Sequence, residues 1–254
     1  MELDFYNFAL CFVRLGAFLY VLPFFSATNF PHTLRIALGL LTAMLLAPTL
    51  PPVAVGQASV FGLLGMLAQE VSIGLLLGFV ARMVFYAADL AGGIIATEIG
   101  LNMGTIMNPL NRSASPIPGT ILFFLAAVVM LTLDLHHWIL AGFQQTYLVL
   151  PVGGAHLNET LFRTVLTSTS RIFVVGLQIT APVMAVSFVV TLVFAVLSRA
   201  VPQMNVFILS FSFRIVGGLA VFGFTLHLTA QHVMNYLRRL PEDLMGLAQI
   251  LGAG

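Results

Sequence analysis

The stretch Gln69-Glu70-Val71-Ser72-Ile73-Gly74-Leu75-Leu76-Leu77-Gly78-Phe79 decides how the rest of this 254-residue chain is read. Strands of a membrane barrel alternate apolar and polar residues, and a Leu-Leu-Leu run does not, so the stretch is helical. Gly74 and Gly78 match the small-xxx-small spacing that lets two helix backbones approach closely. Gly62 and Gly65 precede them at helical spacings, and Gly92, Gly93, Gly100 and Gly104 continue the series. Such matches also arise by chance in apolar sequence, so packing and coincidence both stay open here.

Outward from this segment, long stretches carry no Asp, Glu, Lys or Arg: 15–34, 36–69, 113–133, 135–158, 172–198 and 215–237. A helix needs roughly 20 apolar residues to cross the hydrocarbon of a bilayer, and each stretch reaches or approaches that length. Few are clean spans. Pro23 and Pro31 cut the first, Pro48, Pro51 and Pro52 cut the second, and Pro182 sits inside the fifth, where a missing N–H kinks a helix. Helices are expected near 4–22, 32–47, 59–90, 92–106, 119–133, 137–149, 159–199 and 203–239, in one integrated unit over 1–254. The fold class is all-α, a multipass-like membrane protein of kinked helical hairpins.

Composition supports this and removes other readings. Hydrophobic residues make up 59% of the chain, charged residues 7%, and mean hydropathy is +1.04. Soluble domains carry about 25% charged residues, so much of this surface faces lipid or other protein. A net charge of +1 gives no basic field for a phosphate backbone, which argues against nucleic-acid binding. The single cysteine, Cys11, excludes an intrachain disulfide and a cysteine-rich metal site. The start, Met1-Glu2-Leu3-Asp4, is acidic where a signal peptide would be basic, so no cleavable signal is expected.

One loop stands apart: Asn108, Pro109, Leu110, Asn111, Arg112, Ser113, Ala114, Ser115, Pro116, Ile117, Pro118 and Gly119 lie between two strongly apolar segments. Its three prolines fix φ and remove donors, so a semi-rigid extended shape is expected through Gly119. Its backbone polar groups cannot face lipid unsatisfied; they lie in water, in protein, or along an aqueous pore.

All ten basic residues are arginine. An arginine in apolar surroundings calls for a carboxylate or several carbonyls, and Glu70, Asp89, Glu98 and Asp134 are the carboxylates available in apolar context. Structural ion pairing is the plainer role for them; a proton path lacks the repeat symmetry that would build a midplane site. In Asp134-Leu135-His136-His137-Trp138, adjacent histidines on a helix diverge by about 100° and no metal-site spacing accompanies them, so no metal is expected. Trp138 there suggests an interfacial bend. No Gly-x-Ser-x-Gly motif, Ser-Lys dyad or P-loop is present, which leaves no catalytic residue and no cofactor to assign. After the last apolar helix, Arg238-Arg239 and Glu242-Asp243 concentrate charge, and the arginine pair favours a cytoplasmic end.

Taken in order, several segments resemble the flagellar biosynthetic protein FliR family, the R-type subunit of the type III secretion export gate. They are Arg14-Leu15-Gly16-Ala17, Pro23-Phe24-Phe25, Pro31, Arg35, Ala47-Pro48-Thr49-Leu50-Pro51, the opening stretch from Glu70 to Phe79, Ala91-Gly92, Glu98-Ile99-Gly100-Leu101 and Asn108-Pro109. The most distinctive is Leu197-Ser198-Arg199-Ala200-Val201-Pro202-Gln203-Met204-Asn205-Val206-Phe207. The resemblance covers residues 10–225. The chain departs from it at Glu98-Ile99-Gly100, Asn108-Pro109, Leu135 and Ser210-Phe211-Ser212, where the family usually shows Gln-Met-Gly, Asp-Pro, Gly and Gly-Phe-Pro.

The resemblance implies a non-enzymatic subunit of the bacterial inner membrane. With P-type and Q-type subunits, and beside a B-type switch subunit, it would form in the flagellar basal body the channel that passes unfolded flagellar proteins. The equivalent injectisome subunit and, from a different class, a multipass permease for a small solute are the alternatives. The resemblance further implies that Asn108 to Gly119 is a pore plug. Met103 and Met107 just before it are candidates for a flexible seal, helix packing being the equal alternative. Arg199, Pro202, Gln203, Asn205, Glu70 and Arg82 are candidates for contacts with neighbouring subunits.

Overall fold

A computed structural model describes residues 5–26, 31–50, 60–102, 116–155, 158–203 and 205–252. Among these no strand occurs. The helices are α1 (Phe5–Val21), α2 (Pro23–Ser26), α3 (His32–Leu46, followed by a 3-10 turn at Ala47–Thr49), α4 (Val60–Ile99), α5 (Ile117–Thr132), α6 (Leu135–Val149), α7 (Glu159–Ala200) and α8 (Val206–Gly252). By length and composition four helical segments can cross a membrane, beginning at His32, Val60, Glu159 and Ile208. A fifth is possible if α5 and α6 count as one broken span. The all-α multipass reading holds.

Several boundaries differ from the sequence expectation, each for a local reason. No break occurs near residue 91: α4 runs through Gly92 and Gly93 and stops at Ile99 instead of 106. Gly100, at φ +86°, ends it, because the left-handed conformation that closes a helix costs glycine nothing. The Leu101 N–H then reaches back to the Ala96 carbonyl at 2.8 Å. α5 begins at Ile117, so Ile117, Pro118 and Gly119 form a helical first turn and not the extended end of a loop. First-turn N–H groups have no intrahelical acceptor, so Pro118 forfeits nothing there. At the other end α8 continues through Pro241 to Gly252, thirteen residues past the expected stop at 239. Leu237, Leu240, Leu244, Leu247, Ala248 and Leu251 are all buried, and this helical stripe outweighs the one hydrogen bond the proline removes.

The chain forms two compact units. The first comprises 1–83, 133–169 and 237–254; the second comprises 84–132 and 170–236. In the first, Phe18 of α1 stacks on Phe143 of α6 with centroids 4.3 Å apart. The glycine spacing read from sequence is used there: a methyl group on Gly74 would strike the Arg14 carbonyl, and one on Gly78 would come 2.7 Å from Val21 Cβ. Gly142 makes similar room for Pro241. Asn158 caps α7 by accepting from the Leu161 N–H at 2.8 Å, and its amide donates to the Ile250 carbonyl at 3.0 Å, which fastens the end of α8.

The second unit packs Ala88, Ala91, Ile95 and Ile99 of α4 with Leu122 of α5, Ile179 and Val183 of α7 and Phe222 of α8. Glycines again set the closest approaches. Gly92 lies against the Gly119 backbone, Gly176 against Leu90, and Gly218 against Ile99. Gly119 is therefore a core residue of this unit.

Candidate functional site

Arg14 of α1 is the largest fully buried side chain among the described residues, and each of its three guanidinium nitrogens has an acceptor. Nε donates to Glu70 Oε2, Nη2 donates to Glu70 Oε1 at 3.0 Å, and Nη1 donates to the Leu150 carbonyl at 2.9 Å. Nη2 also reaches the Pro151 carbonyl at 3.4 Å. Glu70 Oε1 accepts from the Gly153 N–H at 2.9 Å, and the guanidinium carbon sits 4.3 Å from the centroid of the Tyr147 ring. Both charged side chains are 0% exposed. A desolvated pair survives only with this kind of bidentate geometry and full hydrogen bonding. The cluster joins α1, α4 and the turn after α6 inside one unit.

This corrects one interface candidate. Glu70 is committed to Arg14 and Gly153 of its own chain and has no surface to offer a neighbour. Arg82 is half-buried and donates to the Val21 carbonyl at 3.1 Å, where a cation suits the carbonyl end of α1. The sequence reading misses the Arg14–Glu70 pairing, although its signal is there: an arginine flanked by apolar residues, and one acid in a segment otherwise free of charge from Ile36 to Ala81.

The other candidates separate cleanly. Arg199, Pro202, Gln203 and Asn205 are all exposed at the α7–α8 junction. Arg199 occupies the last turn of α7, where its charge complements the helix dipole. Asn205 caps α8, its side-chain oxygen accepting from the Ile208 N–H at 3.4 Å. Met103, Met107, Asn108, Pro109, Leu110, Asn111, Arg112, Ser113, Ala114 and Ser115 lie outside the described residues. Of the plug candidates that are described, the Pro116 carbonyl accepts from the Thr120 N–H at 3.0 Å, while Pro118 and Gly119 are buried in the first turn of α5.

The histidine pair also departs from expectation. His136 and His137 do not diverge; their ring centroids are 4.0 Å apart. Asp134 holds φ 54° and ψ 21° immediately before α6. That left-handed residue sets its carboxylate beside the rings, with Oδ1 3.7 Å from His137 Nδ1.

The sequence profile of "Bacterial export proteins, family 1" matches residues 5–240. The chain belongs to that family. It is similar to the flagellar biosynthetic protein FliR of Escherichia coli K12, 28% identical over 236 residues that cover 92% of this chain and 90% of the relative. It is also similar to the FliR of Bacillus subtilis 168, 27% identical over 249 residues covering 96% and 95%, and to that of Aquifex aeolicus VF5, 27% identical over 234 residues covering 90% and 88%. The match runs nearly the full length of the relatives and spans both compact units. Membership of the FliR family makes the chain an export component of the flagellar type, and the injectisome and permease readings give way to it. Within that family reading, the exposed Arg199–Asn205 junction and the buried Arg14 cluster part company: one is available to other chains, the other holds this chain together.

Proposed function

We propose that this chain is the R-type subunit of the flagellar type III export gate in the bacterial inner membrane. There it joins P-type and Q-type subunits, and meets a B-type switch subunit, to line the channel taken by unfolded flagellar proteins. The observation that carries the reading is the match to the FliR relatives, which covers 92% of this chain for the Escherichia coli protein and 96% for the Bacillus subtilis one. On α7 the exposed large apolar residues from Phe173 and Val174 through Phe188, Val189 and Val193 to Val196 cover roughly 35 Å at about 1.5 Å per residue, which suits a hydrocarbon core about 30 Å thick. The start of α7 exposes Arg163, Thr167, Ser170 and Arg171 instead.

The role is structural and conducting. Arg199, Pro202, Gln203 and Asn205 are the residues we assign to contact with neighbouring subunits, because they are exposed and set between two long helices. The segment from Asn108, ending where Pro118 and Gly119 enter α5, is assigned as the stopper of the idle channel. Its chemistry suits that role, since the prolines resist collapse into helix and a polar backbone tolerates water. Met103 and Met107 would seal around a variable chain, thioethers being flexible and polarizable.

Deleting Asn111 to Pro116 is expected to leave the assembled gate intact and to raise its ion conductance in planar bilayers. Unchanged conductance in a correctly assembled gate contradicts the stopper assignment. Loss of assembly contradicts it as well, since the segment would then be holding subunits together.

A further inference from the structure

We infer that Asp134, His136 and His137, at the start of α6, form a binding site for a first-row divalent transition cation such as Zn2+. The donors are the right ones: two imidazoles and a carboxylate suit Zn2+, Ni2+ or Cu2+, whereas Mg2+ and Ca2+ prefer oxygen alone. One donor atom from each residue lies within 4.8 Å of the other two. Coordination at about 2.0–2.2 Å draws such atoms closer together by roughly an ångström, which side-chain rotation supplies. Rotation is free here, because the Asp134 and His137 side chains are 74% and 70% exposed. The same exposure lets water complete the coordination.

Three features show that this convergence is more than an ordinary helix start. Asp134 is the one non-glycine residue at positive φ among those described, and without that turn its carboxylate would not meet the rings. Aspartate in this position normally accepts from the first amides of the helix, yet Asp134 makes no such cap bond and its carboxylate faces the imidazoles instead. His136 Nδ1 is buried and has no hydrogen-bond partner, a polar atom that a ligand would satisfy. The amide end of α6 opposes a cation, and the adjacent carboxylate cancels that field. The site needs no open catalytic position and implies no reaction; the ion would tie Asp134 to the first turn of α6.

The test is calorimetric titration of the full-length protein with ZnCl2 at pH 7.5, in lipid nanodiscs and with no polyhistidine tag. One Zn2+ per chain is expected, with low-micromolar affinity. His136→Ala, His137→Ala and Asp134→Asn should each weaken binding at least ~10-fold, while His227→Ala on α8 should not change it. All four variants should elute from gel filtration as the parent does, since Asp134, His137 and His227 are exposed, the contact of His227 with Gln231 lies at the surface, and His136 is only half-buried. Absence of saturable binding below 100-fold the expected affinity, or binding that survives all three cluster substitutions, overturns the proposal.

Discussion

Arg14→Met is expected to leave little folded protein. It removes the cation from a carboxylate that is 0% exposed and strips partners from the Leu150 and Pro151 carbonyls. Breaking a buried pair by deleting one partner costs about 3–5 kcal/mol, against a total stability of about 5–15 kcal/mol for a typical fold. Arg14→Lys should fail almost as badly, because a point charge cannot reproduce the two-oxygen fork to Glu70 and the bond to Leu150 at once. The double variant Arg14→Met with Glu70→Met should recover part of the loss, since no naked charge is left. Recovery stays incomplete because the Gly153 N–H and the Leu150 carbonyl remain unpartnered, at about 1–3 kcal/mol each. Fluorescence-detected gel filtration of detergent extracts, with thermal challenge, reads all three. Parental yield and melting for Arg14→Met would show that the cluster is dispensable.

The second large effect is expected from a single methyl group. Gly92→Ala places it on the Gly119 backbone, and backbone on backbone cannot yield as a flexible side chain does. Overpacking of ordinary cores costs about 1–3 kcal/mol, and this contact should exceed that because α4 and α5 would have to separate along their length. Gly93→Ala, one residue on, meets nothing within 4 Å and gains helix propensity, so it should be neutral or slightly stabilising. Comparing thermal stability of these neighbours isolates packing from every other property of the helix. Equal behaviour would remove the argument that glycine sets the interhelical distance.

How much of this is legible beforehand depends on whether the signal is local. The helices, their apolar character and the Gly74–Gly78 approach follow from periodicity, and the structure places both glycines against α1. The end of α8 is equally local, but two signals conflict there: Pro241 argues for a stop, while the leucine stripe from Leu237 to Leu251 continues at helical spacing and prevails. Pro118 and Gly119 show the converse, two residues that look like loop chemistry but serve a helix start and a tight crossing. The Arg14–Glu70 pair cannot be read by spacing at all, being 56 residues apart, and only the cost of an unpaired buried charge points to it. The histidine pair illustrates a third case: side-chain torsions bring the His136 and His137 rings to 4.0 Å although their Cβ atoms diverge on the helix, and no spacing shows this.

The proposed role requires that this chain, like a subunit and unlike a free-standing carrier, is completed by other chains. The direct measurement is the native mass of the detergent-extracted protein, expressed alone and expressed with P-type and Q-type subunits. Recovery as a stable complex only in the second case, with poor or aggregated yield in the first, is the predicted result. A monodisperse single chain that needs no companions and gains thermal stability from a small solute would contradict it.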